Sequence, residues 1–109
     1  MDPASFGDPD NVIAYAVRLV SATRPGNPGA PEVVRSKVKW GAGSRASQAL
    51  ILCAKTHAAL SGRANVSCDD VRHLAAPVLR HRIIPSFVAE AEGVKTDAIV
   101  KRLLESVPE

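Results

Sequence analysis

The sequence has few aromatic residues and only two cysteines. Four of its 109 residues are aromatic, although 46% are hydrophobic, so the core of the domain must consist mainly of Ala, Val, Leu and Ile. The length is sufficient for one domain with its own core. Cys53 and Cys68 do not have the spacing of metal ligands, and we expect them to be buried or partly buried thiols in a reducing compartment.

Long hydrophobic runs are also absent. No stretch approaches the roughly 18 apolar residues that span a bilayer, and the N-terminal residues 1–5 lack the basic and apolar regions of a signal peptide. We therefore expect a cytoplasmic protein without a membrane span.

Acidic residues are missing from a third of the chain, between Val33 and Cys68. This stretch holds six basic residues: Arg35, Lys37, Lys39, Arg45, Lys55 and Arg63. Two interpretations remain open, a solvated basic face and a surface that meets phosphate or an acidic partner. Nucleic acid is not the expected partner, because interleaved aromatic residues and a polar recognition helix are both missing.

Catalytic motifs are lacking as well. The sequence has no H-E-x-x-H motif and no paired carboxylates near a histidine. His57 lies on the core-facing side of a predicted helix and is expected to pack there rather than to bind a ligand. No segment has the form G-x-x-x-x-G-K-[ST] that cradles nucleotide phosphates. The chain on its own therefore cannot bind and hydrolyse a nucleotide by the usual route.

The apolar spacing predicts an all-α fold, a small four-helix bundle with one or two short irregular or helical pieces. Trp40 is expected to pack under the glycine turn that follows it, and the second helix is expected to be apolar nearly all round, with Leu52 and Leu60 on its buried surface. A flexible lead-in is predicted at 1–8, and the first main helix at 9–23. The second main helix is predicted at Ser44–Ser61, with Gly62 as its C-terminal cap. The third begins at Ser67, with Asp70 in a capping box, and the fourth runs from Thr96 to about residue 107.

The segment from Gly41 to Ser47 is the most informative in the chain. A glycine-spaced turn leads into the second helix, and Arg45 lies in the first helical turn. A cation is mildly unfavourable there, but the free backbone N–H groups and the guanidinium together suit an anion. Either Arg45 contacts phosphate in a site completed by another domain, or it is a surface arginine that happens to follow a turn.

This segment, with its flanks, carries a family resemblance. Residues 40–50, Trp-Gly-Ala-Gly-Ser-Arg-Ala-Ser-Gln-Ala-Leu, resemble the sensor-2 segment of MoxR-type AAA+ ATPases. Residues 19–24, 62–71 and 75–82 resemble three further lid segments in the same order, so the likeness covers about residues 10–107. It implies that residues 9–109 are a C-terminal helical lid domain and that the preceding P-loop domain is absent from this chain.

The resemblance also implies a site and partners. Arg45 would be the sensor-2 arginine that reaches the terminal phosphates of ATP, with Gly43 and Ser44 forming the turn that places it. ATP and Mg²⁺ would be bound mainly by the absent domain, so the isolated chain is expected to be neither an enzyme nor a cofactor carrier. Partners would be that P-loop domain, neighbouring subunits of a ring, typically a hexamer, and a client protein that the sequence does not identify.

The family usually has Pro where Ser44 stands; because Ser is a good N-cap, we expect the turn and the helix start to be kept. The alternative function is a stand-alone helical module for protein interaction. The basic residues Arg24, Arg63, Arg80 and Arg82 match family positions, and the sequence alone assigns them no role.

Overall fold

The computed structural model describes residues 9–109, and the predicted lead-in at 1–8 lies outside the described residues. From residue 9 onward the chain forms six helices and one antiparallel pair of short strands. In chain order these are α1 (Pro9–Ala22), α2 (Glu32–Lys37), β1 (Val38–Trp40), α3 (Ser44–Leu60), α4 (Cys68–Leu79), β2 (Ile84–Pro85), α5 (Phe87–Ala91) and α6 (Thr96–Ser106). The predicted helical bundle is confirmed: α1, α3, α4 and α6 are its main helices, and α2 and α5 are the short pieces.

Small side chains let the main helices approach one another closely. Ala16, Ala54 and Ala75 are fully buried, and the most extensive contact between two elements joins α3 to α4. Larger side chains from every main helix fill the remaining core, among them Tyr15, Leu19, Leu50, Leu79, Ile99 and Leu103. Cys53 is partly buried and Cys68 buried, and both are free thiols.

The central helix α3 is buried on one face only. Its buried residues are Ala46, Ser47, Leu50, Ala54 and Ala58. The prediction that Leu52 and Leu60 lie on the buried surface is wrong, since both side chains are largely exposed. Leu52 is two positions from Leu50, which is about 200° around a helix, and Leu60 is the last residue of α3, where the helix extends past the core.

A β-bulge turns Trp40 away from the core. Val38 pairs with Pro85 and Trp40 with Ile84, so two steps along β1 match one step along β2, and the register is irregular between Val38 and Trp40. In a regular strand those two side chains would share a face, but the extra residue rotates the strand. Val38 is buried while Trp40 is 63% exposed, so the prediction that Trp40 packs under the glycine turn is wrong.

The end of α1 and the start of α3 meet without room for a side chain. The buried Thr23 hydroxyl accepts a hydrogen bond from the Ala42 N–H at 2.9 Å. A Cβ atom on Gly41 would lie 2.3 Å from the Thr23 carbonyl oxygen and 2.5 Å from its carbon. Glycine is required at position 41 because the backbone of the preceding helix end occupies the space that any side chain would need.

A buried carboxylate fixes the other end of α3. Asp70 forms the predicted capping box with Ser67 at the start of α4, and its side chain is only 1% exposed. It also accepts two hydrogen bonds from Arg63 and lies 2.9 Å from Nδ1 of His57, whose ring stacks on His73. The capping role expected from the sequence is therefore only part of what Asp70 does. It joins the last turns of α3, the following loop and α4.

The surroundings of Asp70 act on its acidity in opposite directions. Burial raises the pKa of its carboxyl group, and hydrogen bonds from Arg63, His57 and Ser67 outweigh this and hold the pKa at about 2. Because the folded pKa lies below the value of an unfolded chain, the ionised group stabilises the fold above about pH 4, and this contribution is lost as the pH falls towards 2.

The close approach at Gly41 predicts a large difference between two neighbouring glycines. Gly41→Ala should lower the free energy of unfolding by about 2–3 kcal/mol, because the new methyl group collides with backbone that cannot move independently. Gly43→Ala is the matched control: its Cβ would meet nothing within 4 Å, and we expect a cost below about 1 kcal/mol. Urea unfolding of both variants measures this, and equal costs would contradict the account.

The second stability prediction concerns Asp70. Asp70→Asn should cost about 3 kcal/mol at pH 7, because it removes the charge that Arg63 pairs with in a buried site. The wild-type protein should lose about 2 kcal/mol of this advantage between roughly pH 4 and pH 2, so the two proteins become more alike in acid. Asp69→Asn, at the exposed neighbouring position, should retain the wild-type pH profile. A constant gap between wild type and Asp70→Asn at every pH would rule out the low pKa.

Candidate functional site

Arg45 is the second residue of α3, at the end of the helix where backbone N–H groups lack intrahelical acceptors. Gly43 is the N-cap, with φ at −101°, and its carbonyl accepts the Ala46 N–H at 3.0 Å. Ser44 is therefore the first helical residue, which confirms the predicted helix start, and the N-cap is Gly43 rather than Ser44. Since a glycine cap has no side-chain acceptor, the N–H groups of Ser44 and Arg45 are left to solvent or to an external anion.

The Arg45 side chain is exposed and makes no hydrogen bond or ion pair within residues 9–109. Half of the basic stretch singled out in the sequence is instead engaged internally. Arg35 donates to the Pro28 carbonyl oxygen, Lys37 pairs with Glu92, and Arg63 pairs with Asp70. Fewer basic side chains are thus available to an acidic partner than the sequence indicates, and Arg45 is one of those still available.

A second arginine reaches the same turn from the end of α1. Arg24 donates from Nε to the Ala42 carbonyl oxygen at 2.9 Å. In the described part of the chain its two Nη atoms have no further partner. The turn at residues 41–44 is therefore contacted by the anchored Arg24 guanidinium and followed directly by Arg45, whose side chain is free within residues 9–109. Together with the positive end of α3, these groups make the turn a candidate site for an anion.

The contact of Arg24 was not predicted, although Arg24 belongs to a segment with family resemblance. Arg24 and Ala42 are 18 residues apart, and no helical or strand periodicity relates positions at that distance. The available signal was compositional only: Gly41 marks a place where another part of the backbone approaches closely, but it does not tell which part.

The other two arginines left unassigned by the sequence differ from each other. Arg80 makes a two-point ion pair with Asp97 at 2.8 and 2.9 Å, tying the end of α4 to the start of α6. These bonds raise the pKa of Arg80 and lower that of Asp97. Arg82, in contrast, is exposed and has no side-chain partner among residues 9–109. Arg80 is therefore structural, and Arg82 is available for contacts.

No group of three or more His, Cys, Asp or Glu side chains between residues 9 and 109 is arranged to hold a metal ion. In the part of the chain that the structure describes, no helix combines the length and the apolar character needed to cross a bilayer. The candidate site is therefore the start of α3, with the free Arg45 and the anchored Arg24 beside the turn.

Comparison with known proteins gives consistent matches. The profile of the AAA lid domain family matches residues 31–103. "Chaperone MoxR1" from Mycobacterium tuberculosis is 34% identical over 96 residues, which are 88% of this chain and 26% of that protein. "Uncharacterized protein YeaC" from Bacillus subtilis is 32% identical over 98 residues, or 90% and 28% of the two chains.

A solved structure agrees with these sequence matches. The crystal structure of a "putative ATPase" from Cytophaga hutchinsonii superposes with a TM-score of 0.81 and 35% identity, covering 88% of this chain and 29% of that one. The chain thus spans somewhat more than a quarter of the length of each protein that it matches. It belongs to the AAA lid domain family, and within that family it is a lid of the MoxR type.

Proposed function

We propose that this chain is the lid of an ATP-hydrolysing AAA+ protein and that Arg45 is its sensor-2 residue. In this role the Arg45 guanidinium contacts the terminal phosphates of ATP bound to a P-loop domain, and the lid moves relative to that domain as nucleotide binds, is hydrolysed and leaves. The observation that carries the proposal is the state of Arg45: an exposed guanidinium with no partner of its own on the described chain, at the positive end of α3.

The chemistry of the turn fits such a contact. A guanidinium binds phosphate oxygens through paired N–H groups, and its charge opposes the negative charge that develops when the terminal phosphoryl group is transferred. Gly43 and Ser44 serve as the short link between the fixed Gly41 and Arg45, so the arginine starts from a defined position. Magnesium and the remaining catalytic groups would come from the P-loop domain, as in other P-loop NTPases.

The proposed partners follow from the same role. The P-loop domain supplies the ATP site, neighbouring subunits of a ring, typically a hexamer, surround the lid, and the assembly assists a client protein in the cytoplasm. The name of the Mycobacterium tuberculosis relative includes the word chaperone, which supports a client-directed role of this kind. A reading frame that encodes a P-loop motif in the same polypeptide as this chain would support the lid function, and one without such a motif would favour a stand-alone interaction module.

Replacement of Arg45 provides the direct test. In the polypeptide that contains both this lid and its P-loop domain, Arg45→Ala should lower kcat for ATP hydrolysis about 100-fold. Thermal unfolding should change little, because the side chain makes no internal contact that the fold needs. Lys55→Ala removes another exposed cation without a side-chain partner from the same helix and should leave kcat within about twofold of wild type. Unchanged turnover in Arg45→Ala would refute the sensor-2 role.

The 109-residue chain alone should have no ATPase activity. It has no P-loop motif in its sequence, and a single arginine at a helix start gives at most weak phosphate binding. Phosphate release and calorimetric titration with ATP and Mg²⁺ measure both properties, with the Arg45→Ala chain as the control for site-specific binding. Turnover in the wild-type chain that persists through repeated purification would contradict the lid assignment itself.

A further inference from the structure

Ala42, in the turn before α3, is held at both of its backbone groups by the two residues that follow α1. Its N–H donates to the Thr23 hydroxyl at 2.9 Å, and its carbonyl oxygen accepts a hydrogen bond from Nε of Arg24 at 2.9 Å. Thr23 is fully buried, and its hydroxyl donates in turn to the Val20 carbonyl oxygen of α1. The N–H of Ala42 is thus bound to the core, whereas its carbonyl is held by an arginine at the surface.

The carbonyl of Ala42 depends on Arg24 for its hydrogen bond. Ala42 is only 3% exposed, and within residues 9–109 its carbonyl oxygen has no other donor. Without Arg24 this oxygen would have to turn towards solvent to find a partner, because a buried carbonyl without a hydrogen bond is costly. The carbonyl and the N–H of the next residue belong to one planar peptide group. Such a turn would therefore rotate the peptide group that leads into Gly43, the N-cap of α3.

Gly43 does not fix its own conformation. It has no side chain, and a Cβ atom there would meet nothing within 4 Å, so neither its own sterics nor local packing restricts its backbone. Its geometry is held instead through the two peptide groups that flank it. Arg24 holds the group before it through the Ala42 carbonyl, and the Ala46 N–H holds the group after it by donating to the Gly43 carbonyl at 3.0 Å. Arg45 belongs to the first turn of α3, which the bond between Gly43 and Ala46 closes.

We infer that Arg24 is a positioning residue for the ATP site: it holds the Ala42 peptide group and, through Gly43, sets the position from which the Arg45 side chain extends. This inference rests on the proposed sensor-2 role of Arg45. A guanidinium that contacts a transferring phosphoryl group must be placed closely, since a shift of about 1 Å can cost up to about 100-fold in rate. Arg24 acts through the backbone of the turn and not by touching the nucleotide.

Two substitutions separate the hydrogen bond of Arg24 from its charge. Arg24→Met places a methyl group where Nε stood and so removes the donor. Arg24→Gln places an amide nitrogen the same number of bonds from Cα as Nε, which restores a donor without the charge. In the polypeptide that contains both this lid and its P-loop domain, Arg24→Met should lower kcat for ATP hydrolysis about tenfold, and Arg24→Gln at most about threefold.

A double variant tests whether Arg24 acts through Arg45. Once Arg45→Ala has removed the guanidinium to be placed, Arg24→Met should change kcat by less than about twofold. Arg35→Met is the matched control, because Arg35 is another exposed arginine that donates to a backbone carbonyl, that of Pro28 at 2.8 Å, and makes no hydrogen bond to residues 41–45. It should leave kcat within about twofold of wild type, and circular dichroism should show every variant folded.

The turn can also be observed without ATP. In the 109-residue chain, amide hydrogen exchange of Ala42 reports the opening of its bond to Thr23. If Arg24 holds the same peptide segment, the Ala42 amide should exchange about tenfold faster in Arg24→Met than in wild type. The amide of the fully buried Leu50, farther along α3, should exchange at the wild-type rate in the same sample.

Four results would overturn the positioning role. One is a kcat of Arg24→Met equal to that of Arg35→Met, and another is unchanged exchange of the Ala42 amide. The third is a kcat of Arg24→Gln as low as that of Arg24→Met, because the charge of Arg24 and not its bond to the turn would then matter. The fourth is a tenfold loss that persists in the Arg45→Ala background, because Arg24 would then act independently of Arg45.

The outcome for Arg45 is read separately. If Arg45→Ala lowers kcat while Arg24→Met hydrolyses ATP normally, the positioning role fails and the sensor-2 role stands. If Arg45→Ala hydrolyses ATP normally, the sensor-2 role fails, and the positioning role fails with it whatever the exchange rate of Ala42. The kcat of Arg45→Ala therefore decides the proposed function, and the Arg24 variants decide the further inference.

Discussion

The close approach of Gly41 to the backbone of Thr23 is the constraint on which the candidate site depends. It brings the end of α1 against the start of α3, and the Thr23 hydroxyl and the Arg24 guanidinium then bind the amide and the carbonyl of Ala42 from the same segment. A residue with a side chain at position 41 would push the two helix ends apart and break both bonds together. The turn at 41–44 is therefore fixed by packing and hydrogen bonds to the end of α1, while the Arg45 side chain that follows the turn is left to solvent.

The scarcity of aromatic residues shapes the surface as much as the core. Alanines and branched aliphatic residues bring α3 and α4 close together, and Tyr15 is the one aromatic side chain buried in the described part of the chain. Trp40 and Phe87 are then not needed for internal packing, and the bulge in β1 turns Trp40 outwards. Large apolar side chains held outwards on a rigid backbone are unfavourable in water unless something covers them. Of the eight large hydrophobic side chains that the described chain exposes, four belong to β1, β2 and the start of α5, and the other four lie on α1 and α3.

Patterns among residues close in sequence predicted the main helices well. The sequence did not predict the contacts between residues that are far apart in the chain. The four main helices, Gly62 as the cap of α3 and the capping box of Ser67 and Asp70 all follow from residues within a few positions of one another. The contact of Arg24 with Ala42, the pairing of β1 with β2 and the approach of His57 to Asp70 join residues 13 to about 50 positions apart. The error at Trp40 has the same origin, because the bulge exists only once β2 is in place. Of the candidate site, Arg45 and its turn could be found by sequence, and its second arginine could not.

The way α3 is held suggests how a phosphate contact could act at a distance. Its start is fixed to α1 through Thr23, and its end to α4 through Asp70, His57 and Arg63. The 17-residue helix is about 25 Å long, and an α-helix clamped at both ends moves as a unit rather than bending at one residue. In the proposed sensor-2 role, a phosphate bound at Arg45 would therefore move α1 and α4 together with α3, as a rigid body closes about a hinge. Because Arg45 has no partner inside the described chain, such a contact would break no bond within the lid, and it would favour one lid position over another by the difference between its binding free energies in the two positions.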